Sequence, residues 1–286
     1  MPNYFRKFMP LALFAGICLL SACDSNVDPQ GYAPTRKASE VLTGMVAGNT
    51  ESIELFVAEN GFIQHNPEIA GGRQGWIDAV NNGYYANTSI EIFRNVGDEE
   101  SEYVFLHCLY TRDTTATVAF EVFRFQDGKI VEHWDNFQEL APANNSGRTM
   151  LGGVSEFDQR ADTQASKTLA GGFVQYALVG GDTVGLENYF NGDIYLEHAA
   201  GGTDGALRLV ANLKTLADFG IRAYGQRHAV YGLGDFVLTL SESGVTGTPT
   251  AHYDMYRVED GYIAEHWSVV QTIPPDSTHL NGNGKF

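Results

Sequence analysis

Hydrophobic and polar positions follow two different periods along the chain, first a helical one and then an alternating one. Residues 36–62 place apolar side chains at mostly helical spacings, and a Gly-Asn pair at Gly48 predicts a corner between two helices. Another helix is predicted over 74–85. Three strands are predicted after it, in SEYVFLHCLYT, TVAFEVFRFQ and KIVEHWDNFQ. Helices followed by an antiparallel sheet predict an α+β unit.

The whole pattern occurs twice. KIVEHWDNFQELAP begins at Lys129, and its counterpart YIAEHWSVVQTIPP begins 133 residues later at Tyr262. Other residues align at the same displacement without a gap: His65 with His198, Gly72 with Gly205, Arg124 with Arg257 and Gln138 with Gln271. One register held over roughly a hundred residues indicates a duplicated unit, and two long copies do not make a solenoid.

The ends of the chain differ from these units in composition. Arg6 and Lys7 precede the apolar run LALFAGICLL, which is too short for an ordinary transmembrane helix and is typical of a secretory signal. The following LSAC resembles the lipobox of bacterial lipoproteins, which implies that Cys23 is acylated; the alternative is an ordinary signal with a chance cysteine. We therefore expect secretion across the inner membrane and a lipid anchor at the bacterial cell envelope.

The predicted organisation follows from these boundaries: a signal peptide over 1–22, a tether over 23–35, a first domain over 36–142, a linker over 143–162, a second domain over 163–275 and a tail over 276–286. The net charge of −17 argues against a nucleic-acid partner. Of the three cysteines, only Cys108 lies inside a unit, so no intrachain disulfide is expected.

Strand pairing places chemistry on the first sheet. If the Asp127-Gly128 turn closes a regular hairpin, Glu121 faces Trp134. If the preceding turn centres on Thr114, His107 lies opposite Glu121 on the face beneath the helices. A carboxylate and an imidazole among aromatic side chains predict a general base and acid, whereas the alternative is a buried ion pair.

The two units resemble the SnoaL-like polyketide cyclases of the nuclear transport factor 2-like superfamily. The resemblance rests on FIQHNPEIAGG and FEVFRFQDGKIVEHWDNFQ in the first unit, and on YLEHAAGGTDG and YDMYRVEDGYIAEHWSVVQ in the second. It implies two cone-shaped α+β domains, each a curved antiparallel sheet wrapped by helices around an apolar cavity and packed as an internal pseudo-dimer.

The resemblance also implies catalytic positions for a cofactor-free aldol closure. The acidic position falls on Glu121 and Asp254, and the histidine position falls on His107 in the first unit. Glu121 departs from the family's Asp, and the second unit has Leu240 instead of the histidine.

Aromatic residues and further histidines complete the candidate set. Trp134 and Trp267 are predicted to line the cavities or belong to the core, while His65 and His198 are predicted to touch ligand or cap a turn. Strand parity turns His133 and His266 away from Glu121. No metal site and no cofactor are predicted.

The sequence therefore favours a lipid-anchored protein that acts on a small apolar carbonyl compound by aldol, cyclase or isomerase chemistry. Glu121 and Asp254 would be bases, and His107 the partner acid. Two alternatives stay open: a non-catalytic envelope lipoprotein that binds a small molecule or a partner, and a structural dimer mimic without a working pocket.

Overall fold

The computed structural model describes residues 33–98, 100–244 and 247–286. The predicted signal peptide and Cys23 lie outside this part of the chain. Within it, no helix is long and apolar enough to cross a membrane.

Among its described residues, the first unit has three helices and five strands. Its elements are α1 Pro34–Val46, α2 Glu51–Phe56, β1 Ile63–Gln64, α3 Gly72–Asn81, β2 Thr88–Val96, β3 Tyr103–Arg112, β4 Thr115–Gln126 and β5 Lys129–Glu139. The corner between α1 and α2 falls at Gly48, whose φ of 72° is left-handed and suits glycine.

The second unit repeats this order. Its elements are α4 Thr163–Gly172, which continues into a π-helical stretch Phe173–Val179, a 3₁₀ turn Leu186–Tyr189, β6 Leu196–Glu197, α5 Ala206–Asp218, β7 Gln226–Leu233, β8 Phe236–Ser243, β9 Thr250–Glu259 and β10 Tyr262–Thr272. A last 3₁₀ turn, Asp276–Thr278, precedes the tail.

Each unit contains one five-stranded sheet, and the two strand orders correspond. They are β1-β5-β4-β3-β2 and β6-β10-β9-β8-β7. The short strand β1 pairs in parallel with β5, and β6 pairs in parallel with β10. All other strand pairs are antiparallel. The turn at Asp127-Gly128 has φ values of 51° and 74°, so the predicted tight hairpin is present.

A β-bulge changes the register that the sequence predicts for this hairpin. Phe125 pairs with Ile130 as expected, but Arg124 pairs with Glu132, which leaves Val131 as the extra residue. Glu121 therefore lies opposite Asp135 and not Trp134. The same irregularity recurs in the second unit between Ile263 and Glu265.

The preceding hairpin is also shifted by one residue. Arg112 pairs with Thr115, so the loop consists of two residues and does not centre on Thr114. As a result His107 lies opposite Phe120, and Leu106 lies opposite Glu121. Because side chains alternate between faces, the predicted His107–Glu121 pair is wrong: the two side chains occupy opposite faces of the sheet.

Both faces of each sheet are buried. The helices of the first unit cover one face, with a core that includes Val41, Phe56, Trp76, Leu106 and Phe123. The opposite faces of the two sheets pack against each other through Phe105, Phe120, Trp134, Leu238, Tyr253 and Trp267. The prediction of two α+β units packed as an internal pseudo-dimer is thereby confirmed.

Candidate functional site

The interior of the first unit contains a buried acid–imidazole pair that the shifted register brings together. Glu121 Oε2 lies 2.8 Å from His133 Nε2, and Tyr110 donates its hydroxyl hydrogen bond to Glu121 Oε1 at 2.7 Å. Glu121 is 1% exposed and His133 is 2% exposed. The prediction that strand parity turns His133 away from Glu121 is wrong, because the bulge at Val131 reverses that parity.

Neighbouring groups fix the orientation of His133. Its ring stacks on Trp76, with 4.6 Å between centroids, and lies 4.7 Å from Phe123. Gln64 Oε1 accepts from the backbone N–H of Asn66 at 3.0 Å and lies 2.9 Å from His133 Nδ1. Since Gln64 presents an acceptor, Nδ1 carries a proton, and Nε2 shares the remaining proton with Glu121.

The electrostatics favour a carboxyl group that retains affinity for a proton. Burial raises the pKa of Glu121, hydrogen bonding to His133 opposes the rise, and the charge of Asp135 adds to it. Burial, followed by the negative charge of Glu121, raises the pKa of Tyr110 well above its usual value. Tyr110 therefore remains a hydroxyl at neutral pH.

A cavity of about 550 Å³ borders this group at the end of the first sheet. Its wall includes Tyr84, Tyr85, Tyr110, Arg112, Phe137 and Gln271. Tyr110 belongs to this wall and also contacts the buried pair, so it is the residue that links the cavity with Glu121. Four of the twelve wall residues are aromatic, and the other eight are polar or charged, among them Glu68, Arg112 and Asp113.

The corresponding group of the second unit has a different charge balance. His266 Nε2 lies 3.2 Å from Asp254 Oδ1, and its Nδ1 lies 2.9 Å from Glu197 Oε1. Burial opposes the charge of His266, but Glu197 and Asp254 together raise its pKa to about 10. Tyr224 donates to Asp254 Oδ2 at 2.8 Å. Asp254 is thus part of an ion triad centred on an imidazole that is protonated at neutral pH.

His107 occupies a different environment, between the two sheets. Its Nδ1 lies 2.9 Å from Arg94 Nη1, and its ring stacks on Phe120. Burial, followed by the positive charge of Arg94, lowers the pKa of His107 well below its usual value. It is a neutral acceptor that helps to bury Arg94, so the geometry does not support a role as the acid partner of Glu121.

The repeated Glu-His-Trp motif has one structural arrangement in both units. In the first, Glu132 accepts from Arg124 at 2.7 Å and lies 2.9 Å from His65 Nε2, while His65 stacks on Trp134. In the second, Glu265 lies 2.8 Å from His198 and accepts from Arg257 at 2.9 Å.

The two tryptophans belong to the interface between the sheets. Trp134 and Trp267 pack in its apolar core, so of the two positions predicted for them the core is the one they occupy, and neither belongs to the cavity wall. His65 and His198 are buried against them, and their Nδ1 atoms lie near the carbonyl oxygens of Gly284 and Thr149. These histidines therefore connect each unit to the segment that covers it.

One set of buried groups in the described chain comes as close together as metal ligands do, but protein groups already contact each member. Tyr110 and His133 contact Glu121, Gln64 contacts His133, and Asn66 contacts Asp135. Ligand atoms of Glu121, His133 and Asp135 lie within 4.8 Å of one another. Lys285 already supplies a positive charge here, with Nζ 3.4 Å from Asp135 Oδ1.

Sequence reasoning missed Tyr110, Asp135, Gln64 and Lys285. Once a bulge follows the Asp127-Gly128 turn, Glu121, His133 and Asp135 share a face. The Glu that precedes His in both copies was the available signal for this bulge. Glu132 lies opposite Arg124 and forms an ion pair with it, and in that register the next residue, His133, points inward.

Known structures with a similar fold each correspond to about one unit. IdmH from Streptomyces antibioticus, provisionally described as a polyketide cyclase, is 17% identical over 37% of this chain and 93% of its own, with a TM-score of 0.33. An NTF2-like protein of unknown function from Cytophaga hutchinsonii is 13% identical over 42% of this chain and 95% of its own, with a TM-score of 0.31.

A third structure is an LEH-like epoxide hydrolase from Mycobacterium tuberculosis, 13% identical over 36% of this chain and 81% of its own, with a TM-score of 0.31. No protein-family profile and no curated protein matches the sequence. At these identities and TM-scores, the similarity assigns no activity to the chain.

Proposed function

We propose that this protein is a lipid-anchored, tandem-duplicated SnoaL-like protein that acts on a small carbonyl compound by cofactor-free proton transfer. The substrate binds in the cavity of the first unit. Tyr110 exchanges the proton with it, Glu121 accepts that proton, and His133 orients Glu121. The second unit supports the first and has no catalytic role.

The observation that carries this proposal is the double position of Tyr110. Tyr110 lines the 550 Å³ cavity, and its hydroxyl donates to a carboxylate that is almost fully buried. A buried carboxyl group with raised proton affinity suits acid–base work near neutral pH. Ketosteroid isomerase likewise uses carboxyl and tyrosine groups in an apolar site.

The proton follows a short relay. A C–H bond next to the carbonyl breaks, its proton passes to Tyr110 Oη, and the hydroxyl proton of Tyr110 passes to Glu121 Oε1. The products are an enolate in the cavity and a neutral Glu121. Because burial raises the pKa of Tyr110, the two transfers occur together and no free phenolate forms. Return of the proton to another carbon completes an isomerisation.

A second candidate function is binding without turnover. Both carboxylate oxygens of Glu121 already have partners, Tyr110 on one side and His133 on the other. In that case the buried pair only fixes the shape of the cavity, and Tyr110 offers a lone pair to a hydroxylated ligand.

Proton exchange on a carbonyl probe distinguishes the two candidates. We would incubate the purified protein with 2-tetralone, a two-ring aromatic ketone, in D₂O and follow loss of the α-proton signals by NMR. We expect faster exchange than in buffer, and Tyr110→Phe should lower the protein-dependent rate by about 100-fold, the lower end for general acid–base catalysis.

Tyr224→Phe is the matched control, because it removes the corresponding hydroxyl of the second unit. It should leave the rate unchanged. Saturation-transfer NMR reports binding in the same samples: binding without exchange would favour the second candidate. Absence of both would contradict a carbonyl site in this cavity.

The lipid anchor has an independent test. The sequence motif LSAC supports acylation of Cys23. Expression of the whole chain in a bacterium fed with labelled palmitate should label the protein and place it in the membrane fraction. Cys23→Ser should abolish both, and persistent labelling of that variant would contradict the assignment.

A further inference from the structure

The tail returns from the second unit to the first and follows its β1 segment. Asn281 Nδ2 donates to the carbonyls of Asn66 at 2.7 Å and Ile69 at 2.8 Å, and Asn283 Nδ2 donates to that of Gln64 at 2.9 Å. The carbonyl of Gly284 then reaches His65. These contacts hold the last residues of the chain against the site of the first unit.

Lys285 enters the interior at the end of this path and is only 4% exposed. Its ammonium group donates to the carbonyl of Asp135 at 2.7 Å and to Gln271 Oε1 at 2.8 Å, with Asp135 Oδ1 at 3.4 Å. All three contacts are oxygen acceptors, which suit an ammonium group; burial lowers the pKa of Lys285, and the charge of Asp135 opposes that shift. Gln271, in turn, belongs to the wall of the cavity.

The positive charge on Lys285 offsets a repulsion between two buried carboxylates of the first site. Glu121 and Asp135 are directly paired residues on adjacent strands, and both are buried. Two carboxylates on the same face of a sheet disfavour each other's ionisation, and water does not screen them here. The ammonium group of Lys285 beside Asp135 offsets one of these two negative charges, and Glu121 keeps its hydrogen bond with His133.

The second unit lacks both members of this pair. Ser268 occupies the position of Asp135. The linker covers the second unit as the tail covers the first, and the carbonyl of Thr149 contacts His198 as that of Gly284 contacts His65. The residue after that carbonyl is Lys285 in the tail but Met150 in the linker. The extra carboxylate and the extra cation therefore occur together.

We propose that Lys285 is a positioning residue of the first site: its ammonium group, delivered by the tail, neutralises Asp135 and leaves Glu121 as the carboxyl group that exchanges a proton with Tyr110. The inference deepens the proposed function by making the site depend on a segment that follows the second unit. Its test is independent of that function, because it reads Glu121 in the unliganded protein.

Several ionisable groups near Glu121 interact with its charge and can affect the pH at which it titrates. They are Tyr110 and Cys108 on β3, His133 and Asp135 on β5, Tyr85 after α3, Tyr253 on β9 and Lys285 in the tail. Lys285 is the cation that the tail adds to this set, and Asp135 is its direct partner. Changing these two residues separately and together isolates their contribution.

The experiment follows the carboxyl ¹³C shift of Glu121 with pH in the full chain, assigned by its loss in Glu121→Gln. Lys285→Met keeps the length of the side chain and removes the charge. It should raise the midpoint of Glu121 by about one pH unit, the size expected for a unit charge removed within about 10 Å at an effective dielectric constant near 20. Lys285→Arg should restore it.

The decisive variant is the double substitution Lys285→Met with Asp135→Ser, which reproduces the pair found in the second unit. It should return the midpoint of Glu121 to within about 0.3 of the wild-type value, because both charges are removed together. An unchanged midpoint in Lys285→Met would overturn the proposal. So would a double variant that stays shifted, since Lys285 would then not act through Asp135.

Discussion

The two units place a carboxylate, an imidazole and a tyrosine hydroxyl in the same relation, yet they hold charge differently. In the first unit the outer ring nitrogen of His133 faces Gln64, an amide. In the second, the equivalent nitrogen of His266 faces Glu197, a carboxylate. The difference between Gln64 and Glu197 thus separates the two sites. In the first unit Glu121 and His133 share a proton, whereas in the second unit two carboxylates hold the proton on His266.

The pKa directions follow this difference. Burial raises the pKa of Glu121 despite its contact with His133. Burial also opposes ionisation of Asp254, but the hydrogen bond and charge of His266 outweigh it and hold the pKa of Asp254 below its usual value. The carboxyl group with the raised pKa therefore lies in the first unit, and the one with the lowered pKa, held in an ion pair, lies in the second.

The ion triad should have its largest effect on the unfolding free energy of the protein at alkaline pH. His266 has a pKa near 10 in the folded chain against about 6.5 unfolded, so its contribution is complete below pH 6.5 and lost as pH rises toward 10. The loss of unfolding free energy over that range is on the order of 5 kcal/mol. Urea unfolding at several pH values measures it.

Acid should affect the triad in the opposite way. The lowered pKa of Asp254 means that its contribution holds above pH 3.8 and disappears as pH falls through its folded value. His266→Phe should flatten the alkaline loss, whereas His133→Phe should retain it. An alkaline slope that survives in His266→Phe would show that the triad is not its source.

Substitution of the two histidines should separate the units at neutral pH. His266→Phe leaves the buried Asp254 and the half-buried Glu197 without a cation, which should cost about 3–5 kcal/mol of unfolding free energy. His133→Phe leaves Glu121, which can take up a proton, and should cost about 1–3 kcal/mol. Phenylalanine suits both sites because each imidazole stacks on aromatic rings.

Chemical denaturation of the two variants at pH 7, with the wild type alongside, measures this difference. Equal losses would mean that Glu121 and Asp254 depend on their histidines to the same degree. The distinction between a shared and a fixed proton would then be wrong.

The sequence was sufficient for the fold because its signals are local and occur twice. The turn at Asp127-Gly128, the corner at Gly48 and the repeated motif each specify their element without reference to the rest of the chain. The repeat also predicted two units that pack together, because a second apolar face of each sheet had to be buried.

The site was harder to predict because hydrophobic pattern alone cannot fix register when both faces of a sheet are apolar. One bulged residue, Val131, moved His133 and Trp134 to the opposite faces from those expected. Lys285 lies 150 residues from Asp135 in sequence, and no local pattern indicates that contact. Long-range polar contacts of this kind become visible only in the folded chain.

The smallest expected effect concerns the symmetry of the interface. Gln138 Oε1 accepts from the backbone N–H of Val270 at 2.8 Å, and Gln271 Oε1 accepts from that of Phe137 at 3.2 Å. These two glutamines are equivalent in the repeat, but only Gln271 is also bonded to Lys285. Gln138→Leu should therefore cost about 1 kcal/mol and Gln271→Leu about 2 kcal/mol.

Urea unfolding of both variants, and of each combined with Lys285→Met, measures that asymmetry. If Gln271 matters more because of Lys285, the two losses should become equal once the ammonium group is absent, since the remaining backbone contacts are equivalent. A difference that persists in the Lys285→Met background would place the asymmetry in the interface itself. The tail would then add its charge to the first site without adding to the contact between the units.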